Sequence, residues 1–322
     1  MILLTGAEGF IGAHLTAHLL AQGHRVRALV WYNSFNRIGW LADLPPDLSA
    51  RLEIVPGDVR DAGQMMTAMA SCDRVIHLAA LIGIPYSYQA PGSYLATNVQ
   101  GTLHLLEAAR QHRPRRILIT STSEVYGTAH YVPIDEAHPL QPQSPYSASK
   151  IGADSLALSY WHSFELPVTL VRPFNTYGPH QSARAIIPTI IQQLLAGAEA
   201  LHLGDLRPTR DLCFVADTVR AFAALLDCPA AVGQVLNVAT GVETSMQQVA
   251  DTLIALIRPG TPIVRDPARL RPPGSEVQRL CGDASRLRRM TDWAPQVPLA
   301  EGLARTVAWF RGRASGDTGY VV

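Results

Sequence analysis

A tyrosine and a lysine near the middle of the chain have the types and the spacing to move a proton. Tyr146 and Lys150 lie four residues apart, which places both side chains on one face of a helix. A phenol ionises at about pH 10, and a neighbouring ammonium favours the phenolate. The pair therefore predicts a proton acceptor, Tyr146, whose pKa Lys150 lowers. On an exposed helix the same two residues would be an ordinary surface pair, so the interpretation depends on the rest of the chain.

A second group of reactive side chains follows an apolar run at residues 117–120, which is typical of a buried strand. Thr122, Ser123 and Glu124 come directly after that run. A hydroxyl and a carboxylate at the end of a strand, close to Tyr146, indicate acid–base chemistry. The structural alternative for Glu124 is an acid at a helix end or a partner in a salt bridge.

The N-terminus predicts a dinucleotide site. Residues 2–5 form an apolar run, glycines follow with G-x-x-G-x-x-G spacing, and a helical pattern runs through Leu15 and Leu19. Between a strand and a helix, such glycines let a pyrophosphate approach backbone N–H groups at the helix N-terminus. The residues expected to contact the cofactor here are Gly6, Gly9, Phe10, Ile11 and Gly12.

The second expected strand, Val26–Val30, leaves the choice between NAD and NADP open. In dinucleotide folds an acid at the end of this strand holds the 2′-hydroxyl of the ribose. Here the sequence continues Trp31-Tyr32-Asn33, with no carboxylate. Arg37 could instead meet the 2′-phosphate of NADP.

Alternating apolar strands and helices predict an α/β fold, a Rossmann-like doubly wound parallel sheet with a smaller mixed α/β substrate-binding domain. Ligands of such sheets bind beyond the carboxyl ends of the strands. Further expected cofactor contacts follow the strand at 52–55, lie at the end of the strand at 75–80 or lie on a helix at 93–112; they are Asp58, Val59, Leu78, Ala79, Ala80 and Asn98, together with Tyr146 and Lys150. The alternative for Asp58 is a cap on the helix that begins near Asp61.

The expected domain boundary follows a sixth strand, at 168–171. Residues 1–172 should form the NAD(P)-binding domain with the catalytic residues, and 173–322 mainly the substrate domain, with some segments returning to the first. In the second part we expect helices at 185–195, 245–257 and 300–312, short strands at 202–204 and 235–238, and a frayed tail at 313–322. Arg184, Arg210 and Arg271 are candidates for an anionic ligand, since guanidinium groups suit phosphate; each alone could be a surface residue.

The composition limits the possible partners. A net charge of +1 over 322 residues gives no reason to expect nucleic acid or an anionic membrane as a partner. No run of about 18 apolar residues predicts a membrane span. The N-terminus lacks the pattern of a signal peptide, and the four cysteines lack metal-ligand spacing, so we expect a cytoplasmic protein without a metal.

Taken together, these motifs resemble the extended short-chain dehydrogenases/reductases that act on nucleotide sugars. They are T-G-x-x-G-x-x-G (5–12), G-D-V-R-D (57–61), H-L-A-A (77–80), S-T-S-E-V-Y-G (121–127), S-P-Y-S-A-S-K (144–150), R-P-F-N-x-Y-G-P (172–179), T-R-D (209–211) and R-P-P-G-S-E (271–276). Within that superfamily Thr-Ser-Glu followed by Y-S-A-S-K is similar to the 4,6-dehydratases.

The finer resemblance is to dehydratases of GDP-sugars. The runs Y-N-S-F-N (32–36), I-P-Y-S-Y (84–88) and Y-V-P-I-D-E (131–136) are most similar to the branch that dehydrates GDP-N-acetylglucosamine, and GDP-mannose 4,6-dehydratases also carry Thr-Ser-Glu. The dTDP-glucose enzymes have Thr-Asp-Glu, so Ser123 departs from them. GDP-mannose dehydratases place arginines where this chain has Trp31 and Tyr32, which favours NAD over NADP.

The resemblance implies a cycle of oxidation, elimination and reduction. Tyr146 takes the proton of the sugar 4-hydroxyl while hydride leaves C4 for NAD. Lys150 lowers the pKa of Tyr146 and holds the nicotinamide ribose, and Thr122 orients the 4-oxygen. Glu124 then removes the C5 proton and passes it to the leaving 6-hydroxyl before hydride returns to C6. The resemblance further implies a homodimer or tetramer and a substrate site made by Ser123, Asn175, Arg184, Arg210 and Arg271.

Four alternatives remain at this stage. A nucleotide-sugar decarboxylase shares S-T-S-E-V-Y-G but would need an arginine for a 6-carboxylate. A 4-epimerase needs no C5 base, which would leave Glu124 idle. A 5,6-dehydratase would stop at the exocyclic alkene. A dinucleotide-sensing protein without activity would not need Thr122, Tyr146 and Lys150 together.

Overall fold

Twelve strands and twelve helices make up the fold of residues 1–313, the part of the chain that the computed structural model describes. The strands are β1 (Ile2–Thr5), β2 (Val26–Trp31), β3 (Leu52–Gly57), β4 (Arg74–His77), β5 (Arg116–Thr120), β6 (Val168–Pro173), β7 (Asn175–Tyr177), β8 (Leu201–Leu203), β9 (Thr209–Phe214), β10 (Val235–Val238), β11 (Glu243–Ser245) and β12 (Ile263–Arg265). The helices are α1 (Phe10–Ala21), α2 (Pro46–Ser49), α3 (Ala62–Met69), α4 (Ile84–Gln89), α5 (Pro91–Tyr94), α6 (Gly101–His112), α7 (Pro145–Phe164), α8 (Ile186–Leu195), α9 (Val215–Leu226), α10 (Met246–Ile257), α11 (Ser285–Thr291) and α12 (Leu299–Arg311). Short 3-10 turns lie at Gly39–Asp43, Ser123–Tyr126, Pro229–Ala231, Pro267–Arg269 and Pro273–Ser275.

The large sheet has seven strands in the order β10-β6-β5-β4-β1-β2-β3, and every pair in it is parallel. Two of its inner strands, β1 and β6, are mostly apolar and buried at every position, as is typical of parallel sheets. One face packs against α1 and α9, and the other against α3, α6 and α7. The predicted doubly wound α/β fold is therefore confirmed, and the strand order reverses between β1 and β4, where such folds bind ligands.

Two smaller sheets complete the described part of the chain, one of β11-β9-β7 and one of β12-β8. Sequence analysis did not predict the strands β7, β9 and β11 or the helix α9. Three-residue strands such as β7 and β11 carry too few positions for an alternation to be visible. The predicted short strand at 202–204 is observed one residue earlier, as β8, and β10 returns to the large sheet beside β6.

The predicted continuous helix at 93–112 is wrong in its middle. The chain instead passes from α5 through a π-helical turn at Leu95–Gln100 into α6. The wider turn presents Asn98 to the loop after β4, where its side chain pairs with both backbone groups of Leu81. π-turns inside helices are frequent at functional sites.

Membrane-spanning helices and metal sites are both absent from residues 1–313. In that range no helix is both long and apolar enough to cross a membrane. No group of three or more His, Cys, Asp or Glu side chains there is placed to hold a metal ion. The tail predicted to fray lies, beyond Arg313, outside the described residues.

Candidate active site

Helix α7 begins so that Tyr146 and Lys150 are fixed at its first two turns. Ser144 caps the helix through a reciprocal pair of hydrogen bonds with Ser147, and Pro145 occupies the first helical position. Both functional side chains are buried, Tyr146 at 7% and Lys150 at 4% exposure. The alternative of a surface tyrosine beside a surface lysine is thereby excluded.

Lys150 links α7 to the end of β5. Its Nζ donates a hydrogen bond to the Thr120 carbonyl at 2.6 Å. Burial lowers the pKa of Lys150 to about 8, although the nearby Asp154 carboxylate raises it in part. A lysine with a pKa close to neutrality can exchange its proton during a reaction.

The phenol of Tyr146 sits in a different environment from the one expected. Burial raises its pKa, the neighbouring Thr122 hydroxyl lowers it, and the Glu124 carboxylate raises it again. The predicted lowering of the pKa of Tyr146 by Lys150 thus stays a prediction for the complete complex.

A tight turn after β5 positions Thr122 and Glu124. Thr122 caps the 3-10 turn Ser123–Tyr126, and its Oγ1 accepts a hydrogen bond from the Glu124 backbone N–H at 3.2 Å. Ser123 points into the protein, with 2% of its surface exposed, while Glu124 is 9% exposed and lines a cavity. The turn therefore brings a hydroxyl and a carboxylate close to Tyr146.

A buried polar network, which sequence analysis did not find, adjoins the turn that carries Thr122 and Glu124. Asp154 Oδ2 accepts hydrogen bonds from Ser121 at 2.7 Å and from the Arg172 guanidinium at 3.0 Å. Arg172 also donates to the Tyr126 hydroxyl at 3.0 Å, and that hydroxyl donates to Asn237. The network ties α7, the β5 turn and β6 together. Arg172 lies in the R-P-F-N motif, which was a signal that could have identified it.

Asp154→Asn is expected to destabilise the protein by about 3–5 kcal/mol, because it leaves the buried Arg172 charge without its carboxylate. Urea unfolding followed by circular dichroism measures this free energy. As a control, Glu301→Gln breaks the exposed pair with Arg305 and should cost at most about 0.5 kcal/mol. A loss below about 1 kcal/mol in the Asp154 variant would contradict this account of the network.

The glycine turn has the close backbone approach that a dinucleotide requires. Gly6 has φ 67°, and a Cβ on it would lie 2.7 Å from the Ala79 backbone nitrogen. A Cβ on Gly12 would lie 2.0 Å from the Gly6 carbonyl oxygen. Gly9 begins α1 without a side-chain cap, so first-turn N–H groups beside Phe10 and Ile11 face outward for an anion. These residues fit a dinucleotide.

The remaining predicted cofactor residues surround this turn. Leu78, Ala79 and Ala80 follow β4, and the Ala79 N–H donates to Thr5 Oγ1 at 3.2 Å. The side-chain amide of Asn98 donates both of its hydrogens within the protein, to Leu81 and Ser149. Asn98 therefore supports the site and has no free donor for the cofactor.

Asp58 and Val59 follow β3, the strand at the edge of the large sheet. Asp58 does not cap the next helix: Asp61 caps α3, and Asp58 pairs with Arg60 at 2.6 Å. Val59 is buried against Gly101.

A cavity of about 900 Å³ lies between the two parts of the chain. Its wall contains five of the predicted residues: Glu124, Asn175, Arg184, Arg210 and Arg271. A cavity of this size can hold a sugar nucleotide. Asn175 Oδ1 is buried without a hydrogen-bond partner among residues 1–313, which suits a group that binds a ligand. Arg271 Nη1 is also buried without a hydrogen bond there, and an ion pair with Glu276 is its contact.

Glu276, a residue that sequence analysis did not single out, joins two of these arginines. Its carboxylate lies 3.2 Å from Arg210 Nη2 and 3.6 Å from Arg271 Nη1. One carboxylate shared by two guanidinium groups leaves a net positive charge, and Arg184 adds another on the exposed rim. This end of the cavity therefore favours an anion such as a diphosphate.

Comparison with known proteins identifies the family. The family model described as GDP-mannose 4,6 dehydratase matches residues 3–306. The chain belongs to that family. The resemblance to extended short-chain dehydrogenases/reductases of the nucleotide-sugar 4,6-dehydratase type is thus confirmed.

Several known proteins are similar to this chain over nearly their whole length. A UDP-glucose 4-epimerase of Mycolicibacterium smegmatis is 36% identical over 97% of this chain and 99% of that protein. A dTDP-glucose 4,6-dehydratase of Actinoplanes sp. is 34% identical over 98% of both chains. The crystal structure of DesIV, a dTDP-glucose 4,6-dehydratase from Streptomyces venezuelae, superimposes with a TM-score of 0.86 at 33% identity and covers 97% of both chains. That structure contains NAD, which agrees with the predicted cofactor.

Proposed function

We propose that the protein is an NAD-dependent nucleotide-sugar 4,6-dehydratase that converts a nucleoside diphosphate hexose into its 4-keto-6-deoxy form. The observation that carries this proposal is the position of Glu124. Its carboxylate lines the cavity two residues after Thr122, next to Tyr146 and within a turn that the buried Asp154–Arg172 network holds in place. Oxidation at C4 alone would not need this carboxylate.

Tyr146 and the residues around it remove the proton of the sugar 4-hydroxyl. When bound, NAD would supply the hydride chemistry, taking hydride from C4 and returning it to C6. Tyr146 accepts the hydroxyl proton, Thr122 hydrogen-bonds the 4-oxygen, and Lys150, also on α7, stabilises the phenolate. The Thr122 hydroxyl already lies close enough to the phenol to lower its pKa, so these two groups need little rearrangement.

The elimination falls to Glu124. A ketone at C4 acidifies the neighbouring C5–H bond, and the carboxylate can remove that proton. The protonated carboxyl then gives this proton to the 6-hydroxyl. The hydroxyl leaves as water, and a double bond forms between C5 and C6. One carboxylate must serve both steps, because the preceding residue is the buried Ser123 and not an acid.

The arginine end of the cavity would hold the diphosphate. Arg210 and Arg271 surround Glu276, Arg184 lies at the rim, and Asn175 would meet the sugar or the first phosphate. An N-acetylhexosamine linked to GDP stays a prediction from the resemblance, since neither the geometry nor the relatives support it over dTDP-glucose. The base and the C2 substituent are for a substrate panel to decide.

Arg210→Gln is expected to raise the KM for the nucleotide sugar by about 10–100-fold with a smaller effect on kcat, because a charged donor to phosphate is lost. Steady-state kinetics with the preferred substrate measures this split. Arg207→Gln is the matched control, because its side chain is 80% exposed three residues away and should leave KM unchanged. Equal KM values for the two variants would remove Arg210 from the substrate site.

A 4-epimerase is the second candidate, and the Mycolicibacterium smegmatis relative supports it. An epimerase uses the same tyrosine and lysine but performs no elimination. Incubation with GDP-, UDP-, CDP- and dTDP-hexoses, followed by ultraviolet detection of a 4-keto sugar in base, separates the two. The dehydratase is positive with at least one substrate, whereas an epimerase yields an isomer without a lasting 4-keto product.

We further infer a division into a cofactor part, residues 1–172, and a mainly substrate-binding part, residues 173–322, with β10 returning to the large sheet. The resemblance also suggests a homodimer or tetramer in the cytoplasm. Light scattering of the purified protein tests the assembly.

A further inference from the structure

The end of β2 lacks the acidic residue that usually receives the ribose of NAD, but another segment places a carboxylate there. β2 ends at Trp31, and Tyr32 and Asn33 follow. Glu8, in the middle of the glycine turn between β1 and α1, reaches this point. Its Oε1 accepts a hydrogen bond from the Trp31 backbone N–H at 2.8 Å.

The second oxygen of this carboxylate has no use within the described protein. Glu8 Oε2 is buried and has no hydrogen-bond partner among residues 1–313. A buried carboxylate oxygen without a donor is costly, so it marks a place where a donor from outside the chain would be stabilised. Because the Trp31 N–H can bind either oxygen, a rotation of the carboxylate presents the free one.

The backbone that carries Glu8 is held firmly. The Trp40 N–H donates to the Glu8 carbonyl at 3.0 Å, and a Cβ on Gly39 would lie 2.5 Å from the same carbonyl oxygen. The loop after β2 therefore packs directly on the glycine turn. The Glu8 backbone is thus held between the turn expected to take the pyrophosphate and the strand end expected to take the adenosine ribose.

The cation that packs on Trp31, Arg60, is already paired with a carboxylate. The Arg60 guanidinium makes a two-pronged contact with Asp58, at 2.6 and 2.9 Å, and lies 4.8 Å from the centre of the Trp31 ring. Arg37, which the sequence offered as a ligand for a 2′-phosphate, lies 5.9 Å from the ring of the exposed Phe35. Arg60 thus already has a carboxylate partner, and the ring that Arg37 contacts is that of Phe35, not of Trp31.

We propose that Glu8 replaces the missing acid of β2: it accepts a hydrogen bond from the adenosine ribose of NAD and repels the 2′-phosphate of NADP. This inference rests on the proposed NAD-dependent function and deepens it by assigning the cofactor choice to one residue. Ribose hydroxyls can donate to the carboxylate, whereas a phosphate brings only acceptors and negative charge.

The test is the affinity of the purified protein, freed of copurified dinucleotide, for NAD and NADP by isothermal titration calorimetry without substrate. The wild type should bind NAD much more tightly than NADP. In Glu8→Gln the dissociation constant for NADP divided by that for NAD should fall by about tenfold or more, because a charged acceptor becomes neutral. The amide oxygen introduced by this substitution can still accept from the Trp31 N–H, so the melting temperature should stay near that of the wild type. Glu199→Gln, an exposed change elsewhere, should leave the ratio unchanged.

The opposing outcomes separate two failures. If the wild type binds NAD and Glu8→Gln keeps the same ratio, the role of Glu8 is overturned while the dehydratase proposal stands. If the wild type binds neither dinucleotide, both fall together. Tight NADP binding that Arg37→Ala removes would assign the ribose end to Arg37 and overturn the inference.

Discussion

Glu124→Gln is expected to slow turnover by about 10²–10⁴-fold, the usual cost of removing an acid–base group. The amide has nearly the shape of the carboxylate but can neither remove the C5 proton nor deliver it to the 6-hydroxyl. Because Tyr146 and Lys150 remain, oxidation at C4 should continue. Stopped-flow absorbance should therefore show reduced nicotinamide accumulating in this variant, since the elimination that precedes its reoxidation is blocked.

The exchange of the C5 proton with solvent isolates the step assigned to Glu124. In deuterated water, NMR should show this exchange slowed to the same extent as turnover. Glu199→Gln, whose side chain is exposed, is the control and should behave as the wild type. Normal turnover and normal C5 exchange in the Glu124 variant would remove Glu124 from the mechanism.

Tyr146→Phe is expected to abolish the first oxidation, with a loss of about 10²–10⁴-fold or more in the rate at which reduced nicotinamide forms. The ring of the phenylalanine still packs against Tyr94, whose centroid lies 6.2 Å from that of Tyr146, so the fold should survive. What is lost is the phenolic oxygen beside Thr122, which would accept the sugar proton. Single-turnover absorbance of enzyme, NAD and substrate measures this rate.

Tyr160→Phe is the matched control for this prediction, because Tyr160 lies on the same helix and its hydroxyl contacts Glu107 at the far end. That variant should form reduced nicotinamide at the wild-type rate. If Tyr146→Phe did so too, another group would have to be the base. Calorimetry with NAD alone should show that both variants still bind the cofactor.

The fold could be predicted where each element carries its own signal. The apolar strands of the large sheet, the glycine turn and the capped helices α7 and α10 depend on local pattern, and they lie close to the expected residues. The short strands β7 and β11 have no local pattern, because their pairing with β9 provides their stability. The π-helical turn at Leu95–Gln100 was invisible for a similar reason, since its geometry serves a contact with Leu81.

The candidate site divides in the same way. Thr122, Glu124, Tyr146 and Lys150 stand in short motifs, so their types and spacing were enough to select them. The Asp154–Arg172 pair, the Glu276 carboxylate and the Glu8 contact join residues distant in sequence, and the fold alone brings them together. The pKa of Tyr146 depends on burial, which no spacing reveals, so in the protein alone it is raised where the simple picture of a tyrosine beside a lysine has it lowered.

The most direct test of the central claim is the mass of the product formed from a nucleotide hexose in deuterated water. The proposed cycle moves the C4 hydrogen to C6 and takes a new C5 hydrogen from solvent. It therefore predicts a product that has lost one water and gained one deuterium, at C5. A product of unchanged mass, or one that has lost carbon dioxide from a uronic acid, would contradict the 4,6-dehydratase and leave Glu124 without its assigned role.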